Sequence, residues 1–214
     1  MTERLSKIFS ELGECKVFAD IGCDHGYVAK AMLESGKAEH VIIADVSKPC
    51  LEKAQNLLKE EIEEKKVTAV VSDGFEKVVG CDLALIAGMG GEEIIGIMER
   101  AKNLPERLVL QPMKNCDKVR LHAVKAGYKL KKDYVFFSAD KFYNLLVLER
   151  GRDSLTEEEI EFGRDNLNGN NQDFKLMLMR EIRNLTEYSQ RVGLSQEAFE
   201  KMSKRINRLK KYVN

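Results

Sequence analysis

A glycine-punctuated loop that carries two carboxylates follows the first apolar segment of the chain, in the order Asp20, Ile21, Gly22, Cys23, Asp24, His25, Gly26. A loop that binds a dinucleotide pyrophosphate presents glycine N–H groups in a G-x-G-x-x-G frame and keeps negative charge away. Here the frame is broken, and Asp24 occupies a position that the phosphates would have to pass, so charge repulsion disfavours them. The loop therefore favours a ligand with cationic groups and no phosphate, such as S-adenosylmethionine.

Two further carboxylates follow the next two apolar segments. Asp45 lies about 20 residues beyond the glycine loop, where an acidic residue accepts hydrogen bonds from ribose hydroxyls; the alternative is a cap for a helix that starts near Pro49. Asp73, which precedes Gly74, could accept the exocyclic amine of an adenine or form an ordinary Asp-Gly turn. Three carboxylates after three successive strands would line one crevice at the carboxyl edge of a sheet.

Three glycines surround a methionine after a fourth apolar segment, in the sequence Ala-Gly-Met-Gly-Gly at residues 87–91. Such a loop lets backbone approach a flat ligand closely, although a plain strand-to-helix turn has a similar composition. Enzymes that methylate exocyclic amines often carry Asp/Asn-Pro-Pro-aromatic at this position, and its absence argues against chemistry at adenine N6. A fifth apolar segment ends at Gln111 and Pro112, where the proline stops the strand.

Strand-like and helical segments alternate between residues 16 and 127, including a single helix predicted at 48–65, and two β-rich runs follow. This order predicts an α/β fold, a class I (Rossmann-like) methyltransferase sheet that ends in an antiparallel pair. After Gly151 no strand signal follows, and a capping box at Thr156 and Glu159 opens a helix. We therefore predict an S-adenosylmethionine-binding domain over residues 1–151 and a helical domain over residues 152–214.

The helical domain carries two apolar seams at spacings of three, four or seven residues. The first consists of Phe174, Leu178, Ile182, Leu185 and Val192, and the second of Phe199, Met202, Ile206, Leu209 and Val213. With about three heptads each and a turn signal at Gly193, the seams predict an α-helical coiled-coil hairpin. Dimerisation through the seam is the alternative, and we expect a monomer.

Basic residues are concentrated in two places, although the formal net charge of the 214-residue chain is zero. Residues 100–134 contain ten Lys or Arg against three acids, and residues 201–212 contain six against none. Such surfaces suit a protein that binds a phosphate backbone, and they also suit solvated helix faces. Because the other face of the last helix carries its apolar seam, we expect these six charges to point outward, including the four that could grip tRNA phosphates: Lys204, Arg205, Arg208 and Lys211.

The five cysteines are scattered, with no C-x-x-C motif and no histidines at metal-ligand spacing. This pattern predicts a reduced protein without a structural metal. No N-terminal segment resembles a signal peptide, and no apolar run reaches membrane-spanning length. We expect a cytoplasmic protein that binds neither a metal nor a membrane.

Several motifs occur in an order that a known family shares: Arg-Leu at 4–5, Asp-Ile-Gly-x-Asp-His at 20–25, Ser-Asp-Gly at 72–74, Ala-Gly-Met-Gly-Gly at 87–91, Leu-Gln-Pro at 110–112, Tyr143, Leu-Thr-Glu-Glu-Glu at 155–159 and Phe-Gly at 162–163. They resemble the bacterial tRNA (adenine-22-N1)-methyltransferase family. The resemblance implies an S-adenosylmethionine-dependent enzyme whose C-terminal hairpin helps to hold tRNA. The chain departs from the family at Met113, where Asn is usual, and at Asp45, where the carboxylate is usually that of Glu.

The motifs and the resemblance together assign cofactor binding to Asp20, Gly22, Cys23, Asp24, Gly26, Asp45, Val46, Asp73, Gly74, Gly88 and Met89. They assign substrate binding to Arg4, Gln111, Lys204, Arg205, Arg208 and Lys211. Methylation of adenine N1 leaves the base cationic, so we assign catalysis to Asp24 with His25. Asp24 could instead hold the methionine amino group, and His25 could orient Asp24, stack on a base or cap the following helix.

Two other classes of function are compatible with parts of the pattern. A different nucleoside-binding enzyme could be a dehydrogenase, which the broken glycine frame disfavours, or a small-molecule methyltransferase, in which the basic C-terminal helix has no obvious role. A non-catalytic RNA-binding scaffold would use the basic surfaces but would not need the carboxylates. Methylation of tRNA uses both features.

Overall fold

Seven strands form the centre of the molecule in the computed structural model, which describes residues 1–190 and 195–213. The strands are β1 (Cys15–Ile21), β2 (Ala38–Asp45), β3 (Val67–Val71), β4 (Leu83–Met89), β5 (Arg107–Pro112), β6 (Tyr128–Ser138) and β7 (Lys141–Arg150). They build one sheet in the order β3-β2-β1-β4-β5-β7-β6. Strands β1 to β5 are parallel, and β7 is antiparallel to both β5 and β6. The predicted class I methyltransferase sheet is confirmed.

Helices cover the sheet and follow it in the chain. They are α1 (Glu3–Glu11), α2 (Tyr27–Glu34), α3 (Lys48–Leu57), α4 (Lys59–Glu63), α5 (Gly91–Arg100), α6 (Cys116–Lys125), α7 (Glu157–Phe162), α8 (Arg164–Asn168), α9 (Gln172–Ser189) and α10 (Gln196–Lys210). The single helix predicted at 48–65 is wrong, because the backbone leaves helical geometry at Leu58 between α3 and α4. The side chain of Leu58 is fully buried in the core layer that also contains α1, α2 and α3.

Both faces of the sheet are buried under helices. Phe18 of β1 packs in the layer that contains α1, α2 and α3, whereas its neighbour Ala19 packs in the layer that contains α5 and α6. Successive side chains of a strand point to opposite faces, and a parallel sheet needs cover on both sides. The apolar runs of the sequence follow from this two-sided burial.

The outer edge of β6 is covered by side chains from the segment that follows the sheet. Asp165, Asn166 and Asp173 accept hydrogen bonds from the N–H groups of residues 133, 135 and 137 at 2.8, 3.0 and 3.0 Å. Asn171 donates to the carbonyl of Val135 at 2.9 Å. An edge strand otherwise offers unpaired backbone groups to other chains. The helices α8 and α9 therefore cap this edge with side chains instead of another strand.

A buried ion pair lies beside this edge. The Nε of Arg120 donates to both carboxylate oxygens of Asp133 at 2.9 and 2.8 Å, and both side chains are 1% exposed. The same guanidinium donates to the carbonyls of Ile160 and Glu161 near the end of α7, and to Asn144 of β7. These bonds cross the predicted boundary at 151–152. The division into two domains at this boundary stays a prediction, and these contacts join the two parts.

The helices α9 and α10 form a helical hairpin. Phe174 and Leu178 of α9 are buried in one cluster with Leu209 of α10, so the start of one helix lies beside the end of the other. Within the second seam burial is uneven, since Phe199 at the start of α10 is 49% exposed. The predicted positions Val192 and Gly193 lie outside the described residues.

Two of the four basic side chains predicted to point outward from α10 instead face neighbouring helices. Arg205 forms ion pairs with Glu161 and Glu181, and Arg208 contacts Glu161 at 2.5 Å. The predicted orientation is therefore wrong for Arg205, which lies between carboxylates of α7 and α9, whereas Arg208 contacts Glu161 but remains 43% exposed. Lys204 and Lys211 are exposed, as predicted.

We expect Asp133→Ala to lower the free energy of unfolding by about 3–5 kcal/mol, because it leaves the Arg120 charge buried without a partner. Urea unfolding followed by circular dichroism measures the change. Glu39→Ala, which removes an exposed carboxylate from β2, is the matched control and should change stability by about 0.5 kcal/mol or less. Equal effects of the two substitutions would contradict a structural role for the ion pair.

Candidate active site

A cleft of about 470 Å³ lies at the carboxyl ends of β1, β2 and β4. From β1 the chain continues to β2 and β3 on one side of β1, and then crosses to β4 and β5 on its other side. The strand order therefore reverses at β1. In open α/β sheets ligands bind at this reversal. The cleft is lined by Arg4, Leu5, Asp20, Gly22, Cys23, Asp24, His25, Tyr27, Val28, Asp45, Val46, Leu85, Ala87, Gly88, Met89, Glu93 and Ile97. Most of the predicted cofactor and catalytic residues are among them.

The glycine loop takes backbone conformations that explain its composition. Gly22 and Gly26 have φ values of 74° and 71°, in the left-handed region that favours glycine. A Cβ on Gly22 would collide with the Met89 side chain, and one on Gly26 would meet Ala54 at 3.0 Å. Gly22 thus lets the loops after β1 and β4 approach, and Gly26 lets α2 pack on α3.

Asp45 joins the glycine loop to the segment after β2. Its carboxylate accepts hydrogen bonds from the N–H of Asp24 at 3.4 Å and from the N–H of Ser47 at 2.8 Å. The N-cap of α3 is Ser47, whose hydroxyl accepts from the N–H of Cys50, so the helix-cap alternative for Asp45 is wrong. Asp45 lines the cleft with remaining acceptor capacity.

Asp20 is buried in β1 beneath the cleft, with 6% of its surface exposed. Burial raises the pKa of its carboxyl to about 7, repulsion from Asp45 adds to the effect, and a hydrogen bond from the backbone of Ala29 opposes it. Burial also raises the pKa of the neighbouring Cys23 thiol, which keeps that sulfur protonated and unreactive. Asp20 is therefore poised to ionise when a cation enters the cleft.

Asp24 stands at the rim of the cleft with cationic or donor partners on both sides. His25 Nδ1 lies 2.7 Å from one carboxylate oxygen, and Lys53 Nζ lies 3.3 Å from the other. Desolvation raises the pKa of Asp24, but the hydrogen bonds and charges of His25 and Lys53 together outweigh it and lower the pKa below its usual value. The His25 ring stacks on Tyr27, with centroids 5.6 Å apart. Asp24 is ionised at neutral pH.

Arg4 reaches the cleft from α1, and side chains of β5 and β7 hold its guanidinium in place. Its guanidinium donates to Gln111 Oε1 at 2.5 Å and lies over the Tyr143 ring. It also lies 3.6 Å from where a Cβ on Gly88 would stand. Gln111 is fully buried, so its predicted direct contact with substrate is replaced in this structure by the contact with Arg4.

Three predicted cofactor residues are absent from the residues that line the cleft. Gly26 lies at the start of α2 instead, and Gly74 packs against Ile97. Asp73 forms an exposed ion pair with Arg100 at 2.8 Å. A role for Asp73 at an adenine amine stays a prediction, and it requires Asp73 to leave Arg100.

Sequence reasoning missed Tyr27 and Glu93, which both line the cleft. Tyr27 directly follows the glycine loop, and Glu93 is in the first turn of α5 directly after the second glycine-rich loop. A search of the first turn after each loop would have found them, because helices that follow parallel strands start at the ligand-binding edge.

Neither a metal centre nor a membrane span is found in the part of the chain that the structure describes. No three or more of its His, Cys, Asp and Glu side chains group as potential metal ligands. None of its helices has the length and apolar character needed to cross a bilayer.

The buried carboxyl of Asp20 should make stability depend on pH. Between about pH 4 and pH 7 the folded state retains a proton that the unfolded state has lost, so this group makes the protein less stable as the pH rises. We expect the free energy of unfolding of Asp20→Asn, relative to that of the unsubstituted protein, to rise by about 2–3 kcal/mol when the pH is raised from 5 to 8. Urea unfolding at both pH values measures the difference. A difference that does not change with pH would show that Asp20 titrates normally.

Comparison with known proteins identifies the family that the sequence motifs predicted. The family model described as TrmK: tRNA (adenine(22)-N(1))-methyltransferase matches residues 18–212. A tRNA (adenine(22)-N(1))-methyltransferase from Bacillus subtilis is 29% identical over 156 residues, which cover 71% of this chain and 66% of the relative.

Two solved structures show the same fold. A Streptococcus pneumoniae putative tRNA (m1A22) methyltransferase in complex with S-adenosyl-L-methionine has a TM-score of 0.88 at 24% identity, covering 100% of both chains. The Mycoplasma capricolum TrmK in complex with S-adenosyl-homocysteine, the cofactor product, has a TM-score of 0.87 at 23% identity, covering 100% of this chain and 97% of the other. Since the family model spans nearly the whole chain, this protein belongs to the TrmK family of tRNA (adenine(22)-N(1))-methyltransferases.

Proposed function

We propose that this chain methylates N1 of adenine 22 in tRNA with S-adenosylmethionine bound in the cleft between β1 and β4. The observation that supports this most is the charge of the cleft. Four carboxylates line it, from Asp20, Asp24, Asp45 and Glu93, against the single guanidinium of Arg4. Such a site attracts the sulfonium and ammonium groups of the cofactor and repels a pyrophosphate.

The residues present fit the cofactor at several of its groups. Asp45 follows β2 with free acceptor capacity, which suits ribose hydroxyls. Asp20 lies beneath the cleft and would ionise beside a cationic amino group. Gly22 and Gly88 line the cleft and have no side chain to separate their backbone from a ligand, so a flat group can lie close to them.

When bound, S-adenosylmethionine supplies an electrophilic methyl group, which bonds to adenine N1 while the sulfur–carbon bond breaks and its electron pair stays on sulfur. The free N1 lone pair carries no proton, so the protein needs no general base. Its tasks are to position the base and to stabilise positive charge. We assign to the ionised carboxylate of Asp24, at the rim of the cleft, the role of stabilising the positive charge that the base acquires. Its alternative role is to hold the methionine amino group.

Adenine N1 lies on the Watson–Crick edge and is hidden in a pair or a stack, so the base must be turned out. The stacked rings of His25 and Tyr27 stand at the cleft, and Tyr27 is 47% exposed. We infer that this pair offers a face on which the turned-out adenine can stack, and that His25 also orients Asp24 through its 2.7 Å contact.

Contacts with the rest of the tRNA involve Arg4 first. Gln111 and Tyr143 hold its guanidinium at the cleft, so Arg4 can contact a phosphate or the base, while Gln111 positions it. Lys204 and Lys211 of α10 are exposed and remain candidates for phosphate contacts. Arg205 and Arg208 could reach RNA only by leaving their carboxylate partners.

The assembly and the cellular compartment belong to the same proposal. We infer a monomer in the cytoplasm, where tRNA is modified. All five cysteines are free thiols in the structure, which fits a reducing compartment.

Cofactor choice is testable by calorimetry. We expect S-adenosylmethionine to bind and NAD to show no measurable binding. Asp45→Ala should weaken S-adenosylmethionine binding by about 1.5–3 kcal/mol, because hydrogen bonds to a charged acceptor are lost. Glu39→Ala, elsewhere on β2, is the control and should bind normally. Tight NAD binding, or an Asp45→Ala variant that binds S-adenosylmethionine as tightly as the unsubstituted protein, would contradict the assignment of the cleft as the S-adenosylmethionine site.

The position of methylation and the role of Asp24 are testable on unmodified tRNA. We expect N1-methyladenosine and no N6 isomer by mass spectrometry of the digested product, provided that alkaline rearrangement is avoided. Asp24→Asn should lower kcat by about 10- to 100-fold, with little change in tRNA affinity, because a charge near the cationic base is lost. If S-adenosylmethionine affinity collapses instead, Asp24 belongs to the methionine pocket.

A further inference from the structure

A second cavity, of about 490 Å³, opens between the β6–β7 turn and the first three turns of α9. We call it the tip groove. Its apolar lining comes from Phe137 and Phe142 on the strands and from Leu176 and Met179 on α9. Its charged lining comes from Arg180 and Arg183 on α9 and from Asp140 in the β6–β7 turn, so two cations stand against one carboxylate. The two phenylalanine rings contact each other, with centroids 4.9 Å apart.

The tip groove lies on the side of α9 that faces away from α10. With about 100° per residue along a helix, Leu176, Met179 and Arg183 lie roughly opposite Phe174 and Leu178, which are buried toward α10. Leu176 and Met179 are 47% and 54% exposed. An amphipathic helix that keeps a second, exposed apolar stripe marks an interaction surface.

The arginines of the groove are available, in contrast to those of α10. Arg180 donates to the backbone carbonyl of Asp140 at 3.2 Å. Neither Arg180 nor Arg183 forms an ion pair with any carboxylate in the described part of the chain, whereas Arg205 and Arg208 are both ion-paired. Two exposed guanidiniums beside apolar side chains favour an anionic partner that also has flat apolar faces.

The groove opens at the same edge of the sheet as the cofactor cleft. Strand β5 is parallel to β1 through β4, and β6 is parallel to β5 because β7 is antiparallel to both. The end of β6 at Ser138 therefore lies at the carboxyl edge. The Ser138 hydroxyl donates to the carboxylate of Glu3 at 2.9 Å, and the next residue, Arg4, lines the cleft. The start of α1 thus connects the two sites.

We propose that the tip groove binds unpaired nucleotides of the tRNA substrate beside the target adenosine. Bases pack on Phe137, Phe142 and Met179, and the adjacent phosphates contact Arg180 and Arg183. Aromatic faces next to arginines are the combination with which proteins hold single-stranded nucleic acid. The proposal rests on the tRNA methyltransferase function, and it places RNA on the exposed side of α9 in addition to α10.

The electrostatic half of the proposal is tested in the full chain with Arg180→Gln/Arg183→Gln. The matched control is Lys16→Gln/Lys66→Gln, which removes two exposed charges at the opposite edge of the sheet. Filter binding of an unmodified tRNA transcript is measured from 50 to 300 mM salt. We expect about tenfold weaker binding, and a slope of log affinity against log salt that is flatter by about 1.5. S-adenosylmethionine affinity, measured as the control for folding, should not change.

The stacking half is tested with Phe142→Leu, which keeps apolar bulk, and with Phe142→Tyr, which keeps the ring. We expect about tenfold weaker tRNA binding for Phe142→Leu with an unaltered salt slope, and binding near that of the unsubstituted protein for Phe142→Tyr. A raised KM for tRNA with a nearly constant kcat should accompany the loss in Phe142→Leu.

Unchanged tRNA binding in the arginine variant and in Phe142→Leu would overturn the proposal while tRNA methylation by the unsubstituted chain stands. Failure of the unsubstituted chain to methylate tRNA would overturn the proposed function itself. The alternative occupant of the tip groove is a second copy of the chain, and sedimentation of Met179→Glu tests it. A shift from dimer to monomer with normal tRNA binding would show that the groove holds this second copy. A monomer with weakened tRNA binding supports the RNA surface.

Discussion

The position of β1 between two parallel neighbours is the constraint on which the site depends. Strand β1 pairs with β2 on one side and with β4 on the other, so the loops after all three strands meet at one edge. The connection after β1 leads to β2 and the connection after β4 leads to β5, in opposite directions along the sheet. A crevice opens between these two connections. The glycine loop that starts at Asp20, Asp45 and Met89 come together for this reason, although Asp20 and Met89 are 69 positions apart in the sequence.

Charge is organised in layers around that crevice. Asp20 is buried beneath it and its pKa is raised to about 7, whereas the pKa of Asp24 at the rim is lowered by donors on both sides. Near neutral pH the Asp20 carboxyl is therefore partly protonated, whereas the Asp24 carboxyl is ionised. A reaction that moves positive charge from a sulfonium to a base needs both an attractive site and a fixed negative charge near the product.

The other end of the sheet determines where the C-terminal helices stand. Polar side chains of α8 and α9 hydrogen-bond the edge of β6, and Arg120 links α6, β6, β7 and the end of α7 through one buried guanidinium. The helices are therefore anchored to the catalytic domain and do not form a loosely attached arm. This anchoring places α9 against the β6–β7 turn and leaves its outer side open at the catalytic edge.

Much of this protein was predictable from local sequence, because local patterns report local physics. Alternating apolar segments identified the sheet, the glycines at 22, 26 and 88 occupy positions with positive φ, and carboxylates after strands marked the binding edge. The directions of Arg205 and Arg208 were not predictable, since Glu161 and Glu181 meet α10 only after the chain folds back. The same holds for the raised pKa of Asp20, the Arg4–Gln111 contact across 107 residues and the tip groove. Each of these depends on long-range packing, in which burial and the identity of a distant partner decide the energy, and no spacing along the chain encodes either.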